Sequence, residues 1–148
     1  MSHSIEIIWD LGDLELSPGK YLTDHKVILN ENLTIDGGSS PDYGGSVSNI
    51  NPEQKLAAAV SSCFMMTFLA LAAKMKWPVK NYKDKAISYL GKNNEGRMYV
   101  NKIELNPQII FDNDFTISDD EMHKMKERSH KYCFIANSLS KDVEIKIN

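Results

Sequence analysis

From Leu56 to Ala73 the chain carries no charged residue, and Lys55 and Lys74 bracket the run. Asn51 is a good N-cap, Pro52 suits a first turn where its missing N–H costs nothing, and Trp77-Pro78 ends the pattern, so a helix of about 35 Å is predicted. By length alone the run is long enough to cross a membrane. Its alanines, with Ser61, Ser62, Cys63 and Thr67 among them, instead suit a helix at the centre of a soluble core. Ahead of it, Ile5 to Trp9 and His25 to Leu29 read as strands separated by a Pro18-Gly19 turn, and Asp36 to Ser46 reads as a glycine-rich loop. No Gly-Lys-Ser pattern follows those glycines, so a surface loop is expected rather than a phosphate cradle.

Beyond the helix, Tyr82 to Leu90 and Met98 to Phe111 read as a hairpin turning through Gly91 to Gly96. Ser118-Asp119-Asp120-Glu121 is a capping box that opens a helix running to about Lys131. A short helical stretch holds Cys133, and Val143 to Ile147 alternates as a closing strand. Strands, long helix, strands, helix and strand make an α+β fold. A chain of 148 residues suits one domain, residues 1–148. So long an apolar helix is hard to cover with one layer of sheet, and packing against a symmetry mate would cover it, so a two-fold homodimer is expected with the central helices at or near its interface.

A net charge of -3 with scattered lysines leaves no footprint for nucleic acid. The first residues lack a basic segment followed by an apolar one, so no secretory signal is read and a cytoplasmic location is expected. There, Cys63 and Cys133 are not expected to form a permanent staple, because the compartment keeps most thiols reduced. The plainest reading of both is a small buried hydrophobe. Their surroundings suggest more: Ser61 and Ser62 put hydroxyls beside Cys63, and His130 and Lys131 put basic groups near Cys133, where they would lower a thiol pKa. His123, His130 and Cys133 form only a loose metal set. A cysteine hydrolase would need His25, His123 or His130 brought to Cys63 by the fold. A peroxidatic pair, one thiolate attacking and the other resolving, needs only two cysteines that meet in space. Phe64, Met65, Met66 and Phe68 read either as ordinary core or as the lining of a pocket for an alkyl chain.

Asn51-Pro52-Glu53-Gln54, followed by Ala57-Ala58-Ala59 and Ser62-Cys63-Phe64 with a second cysteine near the C-terminus, resembles the OsmC/Ohr family of thiol peroxidases. Ser39 to Gly45, Met66 to Ala72 and Cys133 to Ser138 look closer to its less characterised OsmC-like branch. The resemblance implies an OsmC/Ohr-like fold with curved antiparallel sheets around long central helices, in an intertwined homodimer. It also implies reduction of organic hydroperoxides without metal or other cofactor, as an antioxidant oxidoreductase of oxidative stress. By that analogy Cys63 is the peroxidatic nucleophile and Cys133 the resolving thiol, and a dithiol such as a lipoyl protein, or a small thiol, reopens their disulfide.

Glu53 matches the family glutamate that orients a catalytic arginine. It stands about 15 Å from Cys63 along one continuous helix, so any service to a cysteine is expected across the dimer. The arginine itself is where the chain departs from the family. Only Arg97 and Arg128 are present, Thr23 stands where the related branch tends to carry arginine, and Lys20, Lys26 or His25 would have to replace it. Phe64 stands where the closer branch often has histidine, and there follows the Ohr-like pattern.

Overall fold

The computed structural model describes residues 1–112 and 114–148, which form two compact units, residues 1–55 and 56–148. In the first, strands β1 (Glu6–Ile8), β2 (His25–Asn30) and β3 (Leu33–Gly37) make an antiparallel sheet in that order. Val27 lies opposite both Ile7 and Ile35 and is the buried centre of this unit, 4% exposed. Strand β3 was not expected from the sequence. A tight turn makes it possible: the Asn32 N–H donates to the Asn30 side chain at 2.9 Å and folds the chain straight back onto β2. The predicted glycine loop therefore gives Gly37 to β3, then forms a short 3-10 turn, Pro41–Tyr43. Gly45 follows it, where a Cβ would stand 1.8 Å from the Ser39 carbonyl oxygen, so no other residue fits.

Helix α1 (Pro52–Lys74) opens where the sequence places it. The Asn51 side chain accepts from the Gln54 N–H at 2.8 Å and the Gln54 side chain accepts from the Asn51 N–H at 3.0 Å, a reciprocal cap. At its other end the Trp77 N–H reaches the Ala72 carbonyl and the Lys76 N–H reaches Ala73, a Schellman closure. That closure needs a left-handed residue, and here it is Lys76, at φ 57°, rather than glycine. Ala57, Val60, Cys63, Phe64, Phe68 and Ala72 form the buried stripe of α1. The helix is long and apolar enough to cross a membrane, with mean hydropathy 2.0, yet only 28% of its most apolar window is buried inside the chain. It thus covers one stripe rather than being enclosed on all sides, and Met66 stays 59% exposed.

In the second unit β4 (Val79–Lys83) pairs antiparallel with β7 (Gln108–Phe111). Strands β5 (Ile87–Lys92), β6 (Met98–Leu105) and β8 (Glu144–Ile147) form a second sheet, antiparallel between β5 and β6 but parallel between β6 and β8. The predicted hairpin is present as β5 and β6, but each of its expected strands is two. Asp84 interrupts one by accepting from the Ser61 hydroxyl and, at 2.6 Å, from the Asn106 N–H. Pro107 interrupts the other, having no N–H to give a ladder.

Helix α2 (Asp119–Tyr132) begins at the expected Ser118–Glu121 capping box, and α3 (Phe134–Ser138) follows across Cys133. The core of this unit joins the α1 stripe to Ile103 and Leu105 of β6, Met125 of α2, and Cys133. Ser129 of α2 is fully buried and satisfied by donating to the Met125 carbonyl at 2.8 Å.

Candidate functional site

Two free thiols meet in the core of the second unit. Cys63 projects from the buried stripe of α1, and Cys133, in extended conformation at φ -72° and ψ 111°, ends α2 and starts α3. Both belong to one buried cluster, close enough that Cys63 acts electrostatically on the Cys133 thiol. Both cysteines are buried, Cys133 fully and Cys63 with 9% of its residue surface exposed, so Cys63 is the nearer of the two to solvent. Burial pushes the Cys133 thiol up to about 11; contact with Cys63 adds to the rise, while the backbone N–H groups of Ala136 and Ile135 oppose it. At neutral pH Cys133 is therefore a thiol rather than a thiolate.

This reverses one expectation. The basic residues just before Cys133 do not lower its pKa, because the thiol turns into the core while Lys131 stays exposed on α2 with its ammonium 5.9 Å from the Tyr132 ring. The hydroxyls beside Cys63 are also otherwise engaged. Ser61 donates to Asp84, and Ser62 donates to the Ala59 carbonyl at 3.3 Å. Phe64 and Phe68 are core, at 1% and 0% exposure, rather than pocket walls. Within this unit Arg97 pairs with Glu95 at an exposed turn, Arg128 is exposed on α2, and His123 pairs with Glu127 at 3.4 Å on the α2 surface.

In the first unit, Glu53 lies in the first turn of α1, and its Oε2 is shielded from solvent with no hydrogen-bond partner among the described residues. A buried carboxylate oxygen left in this way calls for a cation or donor from elsewhere. Of the cations expected to replace the arginine, Lys20 pairs with Glu15 at 2.8 Å and Lys26 pairs with Asp36, both exposed. His25 is different. Its Nδ1 is 2.8 Å from the Thr23 carbonyl, which can only accept, so Nδ1 carries the proton and Nε2 presents a lone pair. That lone pair faces the Lys55 ammonium at 3.2 Å. Lys55 had no signal in the sequence beyond its place at the edge of the apolar run. The same unit has a cavity of about 600 Å³ lined by Leu16, Tyr21, Leu22, Thr23 and Tyr43, with the Ser17 hydroxyl at its wall, shielded and without a partner among the described residues.

A sequence model of OsmC-like proteins matches residues 44–148, a segment that holds both cysteines and Glu53. The chain belongs to the OsmC-like family. Its fold is that of solved OsmC/Ohr structures. An OsmC-like protein of unknown function from Vibrio cholerae is 33% identical, with 100% of this chain and 99% of that chain covered and a TM-score of 0.90. An OsmC-like protein from Mycoplasma pneumoniae is 16% identical over 100% and 95% of the two chains, with a TM-score of 0.73. An organic hydroperoxide resistance protein from Elizabethkingia anophelis is 19% identical over 99% and 95%, also at 0.73. The last two are likenesses of fold alone. No functionally curated protein matches the chain.

Proposed function

We propose that this OsmC-like protein reduces organic hydroperoxides, with Cys63 as peroxidatic nucleophile and Cys133 as resolving thiol. The observation that carries the reading is that the two cysteines, far apart in sequence, lie together in one core. The Cys63 thiolate attacks the distal peroxide oxygen, the O–O bond breaks, and the departing alkoxide takes a proton to become an alcohol. Cys133 then loses its proton and attacks the Cys63 sulfenic acid, water leaves, and a disulfide forms. A dithiol of the lipoyl type, or a small thiol, reduces it again. The apolar part of α1 outside its buried stripe, where Met66 is exposed, supports a homodimer, and the Glu53 carboxylate oxygen without a partner among the described residues supports a role for Glu53 toward the second copy's cysteine. A cytoplasmic site of action completes the reading.

A second reading, a ligand-binding or redox-sensing protein with little turnover, draws on two observations. Neither arginine stands at the thiols, and a cavity of about 600 Å³ is present in the first unit. One experiment separates them: mass spectrometry of the reduced protein after one equivalent of cumene hydroperoxide, with Cys133→Ser alongside. Loss of two hydrogens in the native chain and a trappable sulfenic acid at Cys63 in the variant are expected. Thiols that stay unchanged remove the peroxidase reading.

A further inference from the structure

We infer that the first unit binds an uncharged small molecule, with an apolar ring and a hydrogen-bond-accepting oxygen such as a ketone carbonyl, in the cavity formed by the loop before β2 and the turn after β3. This deepens the ligand-binding reading above by naming the class of ligand. It does not depend on the peroxide chemistry, because residues 1–55 hold neither cysteine.

The cavity, of about 600 Å³, has the size of a small-molecule site. Its loop is held in shape at successive points. The Lys20 N–H donates to the Ser17 carbonyl at 3.0 Å, closing a turn in which Pro18 is followed by Gly19 at φ 74°. Around that turn Lys20 pairs with Glu15 at 2.8 Å. The Trp9 indole N–H donates to the Leu22 carbonyl at 2.9 Å, and its ring meets Tyr21 edge-on at 6.3 Å. In the other segment of the lining, the Tyr43 N–H donates to the Ser40 carbonyl at 2.9 Å. Ser39 joins the two segments, since its N–H and its hydroxyl donate to Thr23 Oγ1 at 3.0 and 2.8 Å. A cavity fixed in this way loses little freedom when a ligand enters.

Leu16, Leu22 and Tyr43 each keep more than half of their surface in water, so the cavity is open and its apolar lining is what a ligand would cover. Tyr21 and Tyr43 supply two aromatic rings to that lining. The polar handle is Thr23. Its Oγ1 already accepts twice from Ser39, so what it has left to offer is its own hydrogen, and the matching ligand group is an acceptor oxygen. Every lining side chain is uncharged, and the two charges on the loop, Glu15 and Lys20, neutralise each other. A carboxylate entering the cavity would leave water without gaining a cation, whereas a ketone gives up far less.

The test uses Prodan, a neutral naphthyl ketone whose emission shifts to the blue on leaving water. The full chain, with its thiols kept reduced, is titrated into a fixed low concentration of the dye, and acetophenone, ethylbenzene and benzoate then compete for the site. A saturable blue shift is expected. Acetophenone should displace the dye at a concentration about three- to tenfold lower than ethylbenzene, the worth of one hydrogen bond. Against benzoate the advantage should be at least about tenfold. Leu22→Asp, at an exposed position of the lining, should abolish the shift, while Met66→Asp on α1 should leave it. Thr23→Val should bring acetophenone and ethylbenzene within about twofold of each other, and Thr23→Ser should keep them apart. That comparison is made within one variant, so a loosened loop weakens both competitors alike.

No saturable shift, as when a second copy of the chain fills the cavity, overturns the inference. So does a shift that Met66→Asp removes and Leu22→Asp leaves. Benzoate competing as well as acetophenone overturns the uncharged class, and an unchanged preference in Thr23→Val overturns the acceptor. None of these outcomes touches the peroxidase reading, which is decided by the mass of the cysteine pair after hydroperoxide.

Discussion

Closing the disulfide requires Cys133 to be a thiolate, and its environment opposes that. Burial is the largest contribution lifting the thiol from an ordinary 9.0 to about 11, and burial remains after Cys63 has been oxidised, when the added contact with the Cys63 thiol is gone. A thiol with a pKa near 11 is ionised to only about one part in ten thousand at pH 7, and that fraction grows about tenfold per pH unit. The closure step should therefore accelerate on the order of 100-fold between pH 7 and pH 9, with the Cys63 intermediate longest-lived at the acid end. The assay is a quenched time course. Reduced protein is mixed with one equivalent of cumene hydroperoxide, trapped with dimedone at each pH, and resolved by mass into sulfenic adduct and disulfide. Cys133→Ser run in parallel supplies the pH dependence of the first step alone. A closure rate that is flat from pH 7 to pH 9 would refute the reasoning, since it would mean that the attacking thiol is already ionised or that another group takes its proton.

Three further outcomes concern stability. The raised Cys133 pKa holds the folded thiol neutral where the unfolded one ionises, so its contribution of about 2 kcal/mol is present below pH 9 and lost as pH rises toward 11. Denaturant titrations at pH 8 and pH 11 should show that loss in the reduced protein, and much less of it in the disulfide form. Phe68→Ala, at a fully buried ring packed 6.1 Å from Tyr82 and 6.5 Å from Phe64, should cost about 3–5 kcal/mol, and a shift in denaturation midpoint worth under 1 kcal/mol would contradict that packing. Lys76→Gly should raise stability by up to about 1 kcal/mol, because Lys76 holds a left-handed conformation at the end of α1 that glycine adopts freely; a fall in melting temperature would count against the strain.

Helix α1 was legible because two strong signals coincide, an Asn-Pro-Glu-Gln start and an uncharged apolar run, and the start is realised in a reciprocal side-chain cap. Its end was only half legible: Trp77-Pro78 marks the stop, but nothing in the composition says that a lysine takes the left-handed position. Strand β3 escaped because Thr34, Asp36 and Gly37 dilute its pattern, and what makes it a strand is pairing with β2. Of the two long strands read after the helix, one was divided by Asp84 reaching Asn106 about twenty positions away, which no local window contains, and the other at Pro107, a break that the sequence did carry. The same limit governs the site. That both cysteines belong to one chemistry could be read from a family resemblance; that they lie together in one core could not. Thr23, His25 and Lys55 come together from separate segments, so Lys55 looked like a flanking charge and nothing more.

Proximity in sequence misled most at Cys133, and its position changes what a substitution can prove. If redox chemistry were its only purpose, replacing it with serine would cost little. Yet Cys133 is part of the core, with no exposed surface, beside Leu105, Met125 and Phe64 in one apolar cluster. A hydroxyl placed there must be desolvated, so Cys133→Ser should lose about 1–3 kcal/mol. Cys63→Ser, at the slightly exposed position, should lose less. A fall in melting temperature at position 133 is thus expected whether or not the thiol reacts, and says nothing against a redox role. The discriminating observation is the fate of Cys63 in Cys133→Ser at a temperature where that variant is still folded. A sulfenic acid or mixed disulfide that forms at Cys63 and persists means that Cys133 resolves it in the native chain. An intermediate that decays equally fast without Cys133 would leave that side chain as packing alone.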